Sequence, residues 1–259
     1  MPHIAKHAPG AFSWIELSTS DQNGAKHFYT SLFGWSFEDS PMGPNDFYTM
    51  FSLEGQNAAA AYSIRQDEVA QGIPPHWNLY ISVESADAAA ARATELGGVV
   101  LFGPFDVYSY GRMAVIADPT GAVFHVWEPK THPGVGIMSQ PGSFCWADLS
   151  TPDTARASEF YAKLFGYTMM PGHDGYVHIQ NGAEFIGGVP PGHHRNPNAP
   201  PHWLVYIQVA DCAASTALAK ELGASVYMGP MEMANVGTFT VLADPQGAAF
   251  ALFEPVPAG

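Results

Sequence analysis

A short strand and an amphipathic helix are predicted at the start of the chain. From Trp14, the segment WIELS points Ile15 and Leu17 to one face, and its alternate positions to the other. Apolar side chains then recur at helical spacing up to Gly34, a residue type that often ends helices: Ala25, Phe28, Tyr29, Leu32 and Phe33. Three strand-like segments follow, WSFED, FYTMFSL and AAAAYSI, so the pattern predicts a βαβββ unit.

This plan recurs along the chain. HWNLYISVE is typical of a strand, SADAAAARATELGG of a helix, and VVLFGPF, RMAVIADP and AVFHVWEP of three further strands. The segment WIELSTSDQNGAKHFYTSLFGW also matches WADLSTPDTARASEFYAKLFGY, where Thr151 and Pro152 are predicted to begin the helix. Likewise DPTGAVFHVWEP matches DPQGAAFALFEP. The chain is therefore predicted to be a duplication, with two βαβββ modules in each half.

A stretch rich in Pro and Gly separates the two copies. Residues 131–142 show little hydrophobic periodicity, so we predict a linker there. The predicted domains are residues 1–130 and 143–259, and the predicted fold class is α+β.

Composition and charge restrict the class of protein. Hydrophobic residues make up 47% of 259 residues, and no apolar run reaches the roughly 18 residues of a membrane span. The N-terminal segment lacks the apolar stretch of a secretory signal, and Cys145 and Cys212 are too few for a disulfide framework. We therefore expect a cytoplasmic protein. The net charge of -14, from 24 acidic and 10 basic residues, argues against a nucleic-acid partner.

Three motifs occur twice in the same order: LSTxDxxxAxxFYxxLFG, HWxxYIxV and DPxGAxFxxxEP. Through them the chain resembles the glyoxalase, bleomycin-resistance and extradiol-dioxygenase superfamily, the vicinal oxygen chelate proteins. The resemblance implies four modules in two tandem glyoxalase-like domains, whose curled mixed sheets form open cups with helices outside. It also implies a divalent metal, held on the concave face by His, Glu or Gln from the first and last strands of each module. Such a metal would take two neighbouring oxygens of a substrate.

The implied ligand positions do not carry a complete metal-binding set. Indole nitrogen is only a donor, Asn is a poor ligand, and Leu and Ala are none. We therefore predict no metal site and no cofactor, while a divalent metal remains an alternative. The residues at the implied positions are Trp14, Asn78 and His125 in the first half, and Trp146, Leu204 and Ala251 in the second.

Strand alternation nevertheless places polar and aromatic side chains on both concave faces. In the first half, Glu16 and His125 are predicted to form a catalytic acid-base couple, with a structural hydrogen bond as the alternative. Tyr108 lies in a Gly-flanked loop that is predicted to rim the cup. Glu128 and Glu254 alternate to the opposite face. The predicted ligand-binding residues are Trp14, Asn78, Tyr80, Tyr108, Trp146, Asp148 and Tyr206.

These observations favour a protein that binds a small apolar or aromatic organic molecule in a Trp-lined cup, without a complete metal site. The alternative is an enzyme: a lyase, isomerase or hydroxylase acting on a small oxygenated substrate through Glu16 and His125. A second alternative is a divalent-metal-dependent glyoxalase or dioxygenase. The sequence leaves open whether the protein is an enzyme, and whether it is a monomer or a homodimer.

Overall fold

The computed structural model describes residues 3–44 and 46–256. The first half contains eight strands and three helices. In chain order these are β1 (Phe12–Thr19), α1 (Gln22–Phe33), β2 (Ser36–Gly43), β3 (Asp46–Leu53), β4 (Gln56–Ser63), α2 (Gln66–Ala70), β5 (His76–Ser82), α3 (Ala86–Glu95), β6 (Val99–Val107), β7 (Gly111–Ala117) and β8 (Val123–Pro129).

The second half repeats this order but has no counterpart of α2 among its α-helices. Its elements are β9 (Phe144–Ser150), α4 (Thr154–Phe165), β10 (Thr168–Pro171), β11 (Val177–Asn181), β12 (Glu184–Val189), β13 (His202–Gln208), α5 (Cys212–Glu221), β14 (Ser225–Met233), β15 (Gly237–Ala243) and β16 (Ala249–Pro255). Short 3₁₀ turns lie at His173–Gly175 and Gly192–His194. No helix in the described part of the chain is long and apolar enough to cross a membrane.

The long helices begin at aspartate caps. The Asp21 side chain accepts the backbone N–H of Gly24 at 3.0 Å, and Asp153 accepts that of Arg156 at 3.0 Å. The prediction that Thr151 and Pro152 begin α4 was therefore wrong, because Asp153 caps the helix two residues later. The predicted glycine at the end of α1 is confirmed: Gly34 has a φ of 70°, in the left-handed region that glycine adopts without strain.

Each half forms one eight-stranded sheet, with the order β2-β3-β4-β1-β5-β8-β7-β6 in the first half and β10-β11-β12-β9-β13-β16-β15-β14 in the second. The first strands of the two modules, β1 and β5, pair antiparallel at the centre. Strands β1 with β4, and β5 with β8, pair in parallel. The predicted α+β fold of four βαβββ modules with open cups is confirmed.

The convex faces of the two sheets share one hydrophobic core. Strand β5 of the first sheet contacts β13 of the second, and α1 and α5 pack beside each other. Aromatic side chains join the halves, with ring centroids 5.3 Å apart for Phe12 and Trp203 and 5.4 Å for Phe124 and Tyr161. The two cups therefore open away from this shared core.

The aspartates of the two DPxG segments build turns, and Asp244 also connects the halves. One carboxylate oxygen of Asp244 accepts the backbone N–H groups of Gln246 and Ala248, both at 2.9 Å. Its other oxygen accepts the hydroxyl of Tyr29, from α1 of the other half, at 2.9 Å. Asp118 likewise accepts the backbone N–H of Thr120 at 2.7 Å. The repeated motif thus serves folding.

Glu128 and Glu254 act on the convex side of the sheets. Glu128 accepts the backbone N–H of Ala86 at 3.0 Å, and Glu254 accepts that of Cys212 at 2.8 Å. Each contact satisfies a free N–H in the first turn of α3 or α5. The predicted opposite orientation of these glutamates is confirmed.

Residues 131–142, which we call the strap, pack against the first cup. Val135 is fully buried in a cluster with Trp14 and Tyr80. The backbone N–H of Val135 donates to Ser13 O at 2.8 Å, and that of Gly136 donates to Asn57 O at 2.8 Å. The segment predicted as a linker is therefore also a cover. The domain boundaries on either side of it stay a prediction.

Candidate functional site

A buried carboxylate lies at the centre of the first cup. The Oε1 atom of Glu16 accepts the hydroxyl of Tyr48 at 2.7 Å, and Oε2 accepts that of Tyr80 at 2.6 Å. Glu16 is only 7% exposed. Burial raises the pKa of Glu16, because the charged form loses hydration, while the tyrosine hydrogen bonds oppose the shift.

The second cup repeats this arrangement around an aspartate. The Oδ1 atom of Asp148 accepts Trp146 Nε1 at 3.0 Å and the Tyr176 hydroxyl at 2.6 Å. Its Oδ2 atom accepts the Tyr206 hydroxyl at 2.8 Å. Burial raises the pKa of Asp148 as well, against the lowering effect of these hydrogen bonds. Each cup therefore carries one desolvated carboxylate held by tyrosines.

The residue paired with the buried carboxylate differs between the cups, and it is smaller beside the aspartate than beside the glutamate. Glu16 pairs with Ala60, whereas Asp148 pairs with Gly188. A Cβ added to Gly188 would lie 1.9 Å from the Tyr176 hydroxyl oxygen. Aspartate is one methylene shorter than glutamate, so Tyr176 reaches further in to bond it and crosses the space that a side chain at position 188 would fill.

His125 lies beside the first carboxylate without bonding it. Its ring packs edge-on against Tyr80, with centroids 4.4 Å apart, and within the described residues its Nδ1 has no hydrogen-bond partner. Burial, and next the charge of His76, lower the pKa of His125 to about 3. The structural hydrogen bond between Glu16 and His125, which was the alternative to a catalytic couple, is not formed, because Tyr48 and Tyr80 bond the two Glu16 oxygens; the catalytic couple stays a prediction.

The other predicted residues of the first half have separate environments. Asn78 is buried and donates its side-chain N–H to the Tyr62 hydroxyl at 3.2 Å. Trp14 is 3% exposed and meets the ring of His132, in the strap, with centroids 4.6 Å apart. Tyr108 does not join the carboxylate site: its side chain is 78% exposed, in the turn after β6.

The two cups differ in how accessible their aromatic walls are. Trp127 in the first cup is buried, and its Nε1 donates to the His132 carbonyl of the strap at 2.9 Å. At the equivalent positions of the second cup, Trp146 and Phe253 remain partly exposed. Two methionines of β14 lie on the same face of the sheet as Phe253, because Met231 pairs with Phe239 and Phe239 pairs with Phe253, while Met228 pairs with Val241. Met228 is 40% exposed and Met231 is 45% exposed. The second cup therefore presents an accessible apolar wall.

The donor sets of the cups do not fit the divalent metal that the resemblance implies. Within residues 3–44 and 46–256, no group of three or more His, Cys, Asp or Glu side chains is placed so that it could hold a metal ion. At the implied positions, Trp14 and Asn78 accompany His125 in the first cup, and Ala251 replaces the imidazole in the second.

Sequence reasoning missed Tyr48 and Tyr176, which bond the two carboxylates. A signal for them existed in the duplication. FYTMF in the first half and GYVHI in the second occupy equivalent strand positions, because Met50 pairs with Ala60 and His178 pairs with Gly188. Each tyrosine lies two residues before that paired position. The sequence therefore shows that both segments carry a tyrosine, but it does not show that these tyrosines bond Glu16 and Asp148.

The fold and the duplicated site agree with two family models. Residues 11–126 match the "Glyoxalase/Bleomycin resistance protein/Dioxygenase superfamily", and residues 146–253 match a "Glyoxalase-like domain". The chain therefore belongs to the glyoxalase, bleomycin-resistance and dioxygenase superfamily, as a member with two such domains.

Similar proteins extend over the whole chain. "Putative glyoxylase CFP32" of Mycobacterium tuberculosis (strain CDC 1551 / Oshkosh) is 37% identical over 264 residues, covering 99% of both chains. "Anthracycline biosynthesis protein DnrV" of Streptomyces peucetius is 33% identical over 267 residues, covering 97% of this chain and 95% of the relative.

Solved structures support the fold. The Mn(II)-bound glyoxalase from Novosphingobium aromaticivorans superposes with a TM-score of 0.66 at 16% identity, covering 95% of this chain and 82% of that one. The 2,3-dioxygenase LapB from Pseudomonas sp. KL28 gives a TM-score of 0.67 at 13% identity, covering 97% and 96%. At these identities the likeness concerns the fold alone.

Proposed function

We propose that the chain binds a small apolar or aromatic organic molecule in its second cup, without a complete metal site. One observation carries the proposal: the strap buries Trp14 in the first cup, whereas Trp146 at the equivalent position is partly exposed above a buried carboxylate. Accessible aromatic side chains beside a few fixed polar groups are the usual composition of small-molecule sites.

The residues of this cup have complementary properties. Trp146 and Phe253 offer aromatic surface for stacking or edge-on contacts. Met228 and Met231 add flexible, polarizable side chains that adapt to ligands of different outline. Asp148 would orient a ligand hydroxyl, if that hydroxyl took the place of the partly exposed Tyr176 as a donor.

The relatives agree with a ligand of this kind. DnrV, which is 33% identical to this chain, is named as an anthracycline biosynthesis protein. Anthracyclines contain a flat, hydroxylated polycyclic chromophore, which is the shape and polarity that the second cup favours.

The test is titration with 1,8-dihydroxyanthraquinone, a flat hydroxylated chromophore, followed by quenching of tryptophan fluorescence. Trp146→Phe should raise the Kd about tenfold, because the ligand loses indole contact area and Asp148 loses a donor. The matched control is Trp14→Phe, which alters the same position beneath the strap and should leave the Kd unchanged.

Two outcomes would contradict the proposal. The first is a Kd raised by Trp14→Phe and unaffected by Trp146→Phe, which would place the ligand in the first cup. The second is the absence of saturable binding. Circular dichroism of both variants would establish that the fold is retained.

A second candidate function is acid-base catalysis in the first cup. The observation in its favour is geometric: the buried His125 imidazole packs against Tyr80, which bonds Glu16, and its Nδ1 lacks a partner within the described residues. The probe is deuterium exchange at the α-carbon of hydroxyacetone in D2O, followed by NMR. Catalysed exchange that is lost in His125→Ala would support this function, and no catalysed exchange in the wild type would exclude it for this ketone.

A further inference from the structure

We infer that the second cup takes an amide-bearing ligand that combines an aromatic ring with a branched apolar group, because the strap presents these groups to the equivalent positions of the first cup. This inference rests on the proposed function. Because the two cups are duplicates, the contacts of the strap in the first cup indicate which groups the equivalent surface of the second cup would bind.

Two side chains of the strap contact the aromatic side chains of the first cup. The His132 ring lies edge-on to Trp14, with centroids 4.6 Å apart and an interplanar angle of 88°, and 6.0 Å from Trp127. Val135 is fully buried in the cluster that contains Trp14, Tyr80 and Trp127. The occupant of the first cup is therefore an aromatic ring and a branched aliphatic group, separated by Pro133 and Gly134.

Strand register shows that the receiving surface is duplicated. Trp14 pairs with Tyr80 in the first sheet, as Trp146 pairs with Tyr206 in the second. Trp127 pairs with Ser82 in the first sheet, and Phe253 pairs with Gln208 in the second. Phe253 therefore takes the position of Trp127. The receiving side chains of the second cup are Trp146, Tyr206 and Phe253.

The backbone acceptor is duplicated too. Ser13 lies at an irregularity in the pairing of β1 with β5, and its side chain reaches Tyr80 O at 3.5 Å. Cys145 lies at the same irregularity of β9, and its thiol reaches Tyr206 O at 3.5 Å. Because Ser13 O accepts the N–H of Val135, the carbonyl of Cys145 is the matching acceptor for a ligand amide.

Two substitutions distinguish the surface of the second cup from that of the first. Ala251 replaces His125, whose ring covers Tyr80, and Phe253 replaces the larger Trp127. The second cup therefore lacks the imidazole that covers Tyr80 in the first, and a ligand bound there would direct its amide N–H at the Cys145 carbonyl. The ligand class is an aromatic amide or a short hydrophobic peptide, and the two share one recognition chemistry.

The test uses the strap itself as the probe: the capped peptide acetyl-THPGVGIM-amide, which covers residues 131–138. The intact protein is first loaded with 1,8-dihydroxyanthraquinone, and the peptide should displace the dye competitively. A matched peptide carrying Val135→Asp should compete at least tenfold less well, since the aspartate would have to be desolvated. N-acetyl-tryptophan isobutylamide serves as the small-molecule arm, and competition by this compound alone would assign the site to aromatic amides rather than peptides.

The outcomes separate this inference from the proposed function. If the dye binds with the expected dependence on Trp146 but neither amide probe displaces it, this inference fails and the proposed function stands. If the dye does not bind, both fail. Should a probe bind with an affinity that changes with Trp14→Phe and not with Trp146→Phe, it has displaced the strap, and the inference is overturned. Phe253→Leu provides a second variant in case Trp146→Phe does not fold.

Discussion

Replacing Gly188 by alanine is the perturbation that most sharply tests the geometry of the second carboxylate. The new Cβ would lie 1.9 Å from the Tyr176 hydroxyl oxygen and 2.1 Å from its Cζ atom, so the Tyr176 side chain must move away. Asp148 then loses the 2.6 Å bond from Tyr176 and keeps those from Trp146 and Tyr206.

The magnitude follows from that lost bond. A hydrogen bond to a charged group contributes about 1.5–3 kcal/mol to stability. Alanine recovers about 0.5–1 kcal/mol relative to glycine in a strand, because the unfolded chain has less freedom to lose. We therefore expect Gly188→Ala to lower the free energy of unfolding by about 1–2 kcal/mol in urea titrations at pH 7.

Two controls define the result. Ala60→Gly makes the reverse change in the first cup and, with no clash, should cost about 1–2 kcal/mol through backbone freedom and the loss of one buried methyl group. In a Tyr176→Ala background, Gly188→Ala should no longer destabilise, since the clashing ring is gone. An unchanged free energy of unfolding in Gly188→Ala, or an equal cost in both backgrounds, would refute the account of this site.

Three further predictions concern the strap, the histidines and the contact between the halves. Val135→Ala should lower the free energy of unfolding by about 2 kcal/mol and increase acrylamide quenching of tryptophan fluorescence, and unchanged quenching would contradict its role as a cover. Burial lowers the pKa of His125 to about 3 and of His132 to about 4, below the unfolded value of about 6.5. At these two positions the unfolded chain thus takes up protons first, so between about pH 6.5 and 4 the free energy of unfolding should fall more steeply in the wild type than in His125→Gln; equal slopes in the two urea series would contradict this. Tyr29→Phe should cost about 1.5–3 kcal/mol in urea unfolding, because its hydroxyl donates to Asp244 and accepts from Trp77, and an equal cost in an Asp244→Ala background would show that the bond to Asp244 is not responsible.

The duplication and the alternation of side chains made much of the fold predictable. Period-two patterning placed Trp14 and Glu16 on one face of β1, and the repeat placed Trp146 and Asp148 on the same face of β9. These assignments depend on local sequence alone, because each strand buries one face against the shared core.

The contacts that define the cups depend on long-range structure. The strap has no hydrophobic periodicity, and Val135 is buried because Ser13, far away in sequence, accepts its backbone N–H. In the same way, Glu16 does not bond His125 because Tyr48 and Tyr80, on other strands, donate to both of its carboxylate oxygens. Strand order and register determine which donors reach a buried carboxylate. The alternation of side chains along one strand specifies neither the order nor the register.

The central claim is that a small organic ligand binds in the second cup while the strap covers the first. The most direct measurement is the anomalous difference density of crystals soaked with bromine-labelled 1,8-dihydroxyanthraquinone. The account predicts a bromine peak beside Trp146 and Phe253, with Val135 still packed on Trp14. A peak beside Trp14 with the strap displaced, or no peak in either cup at saturating ligand, would contradict it.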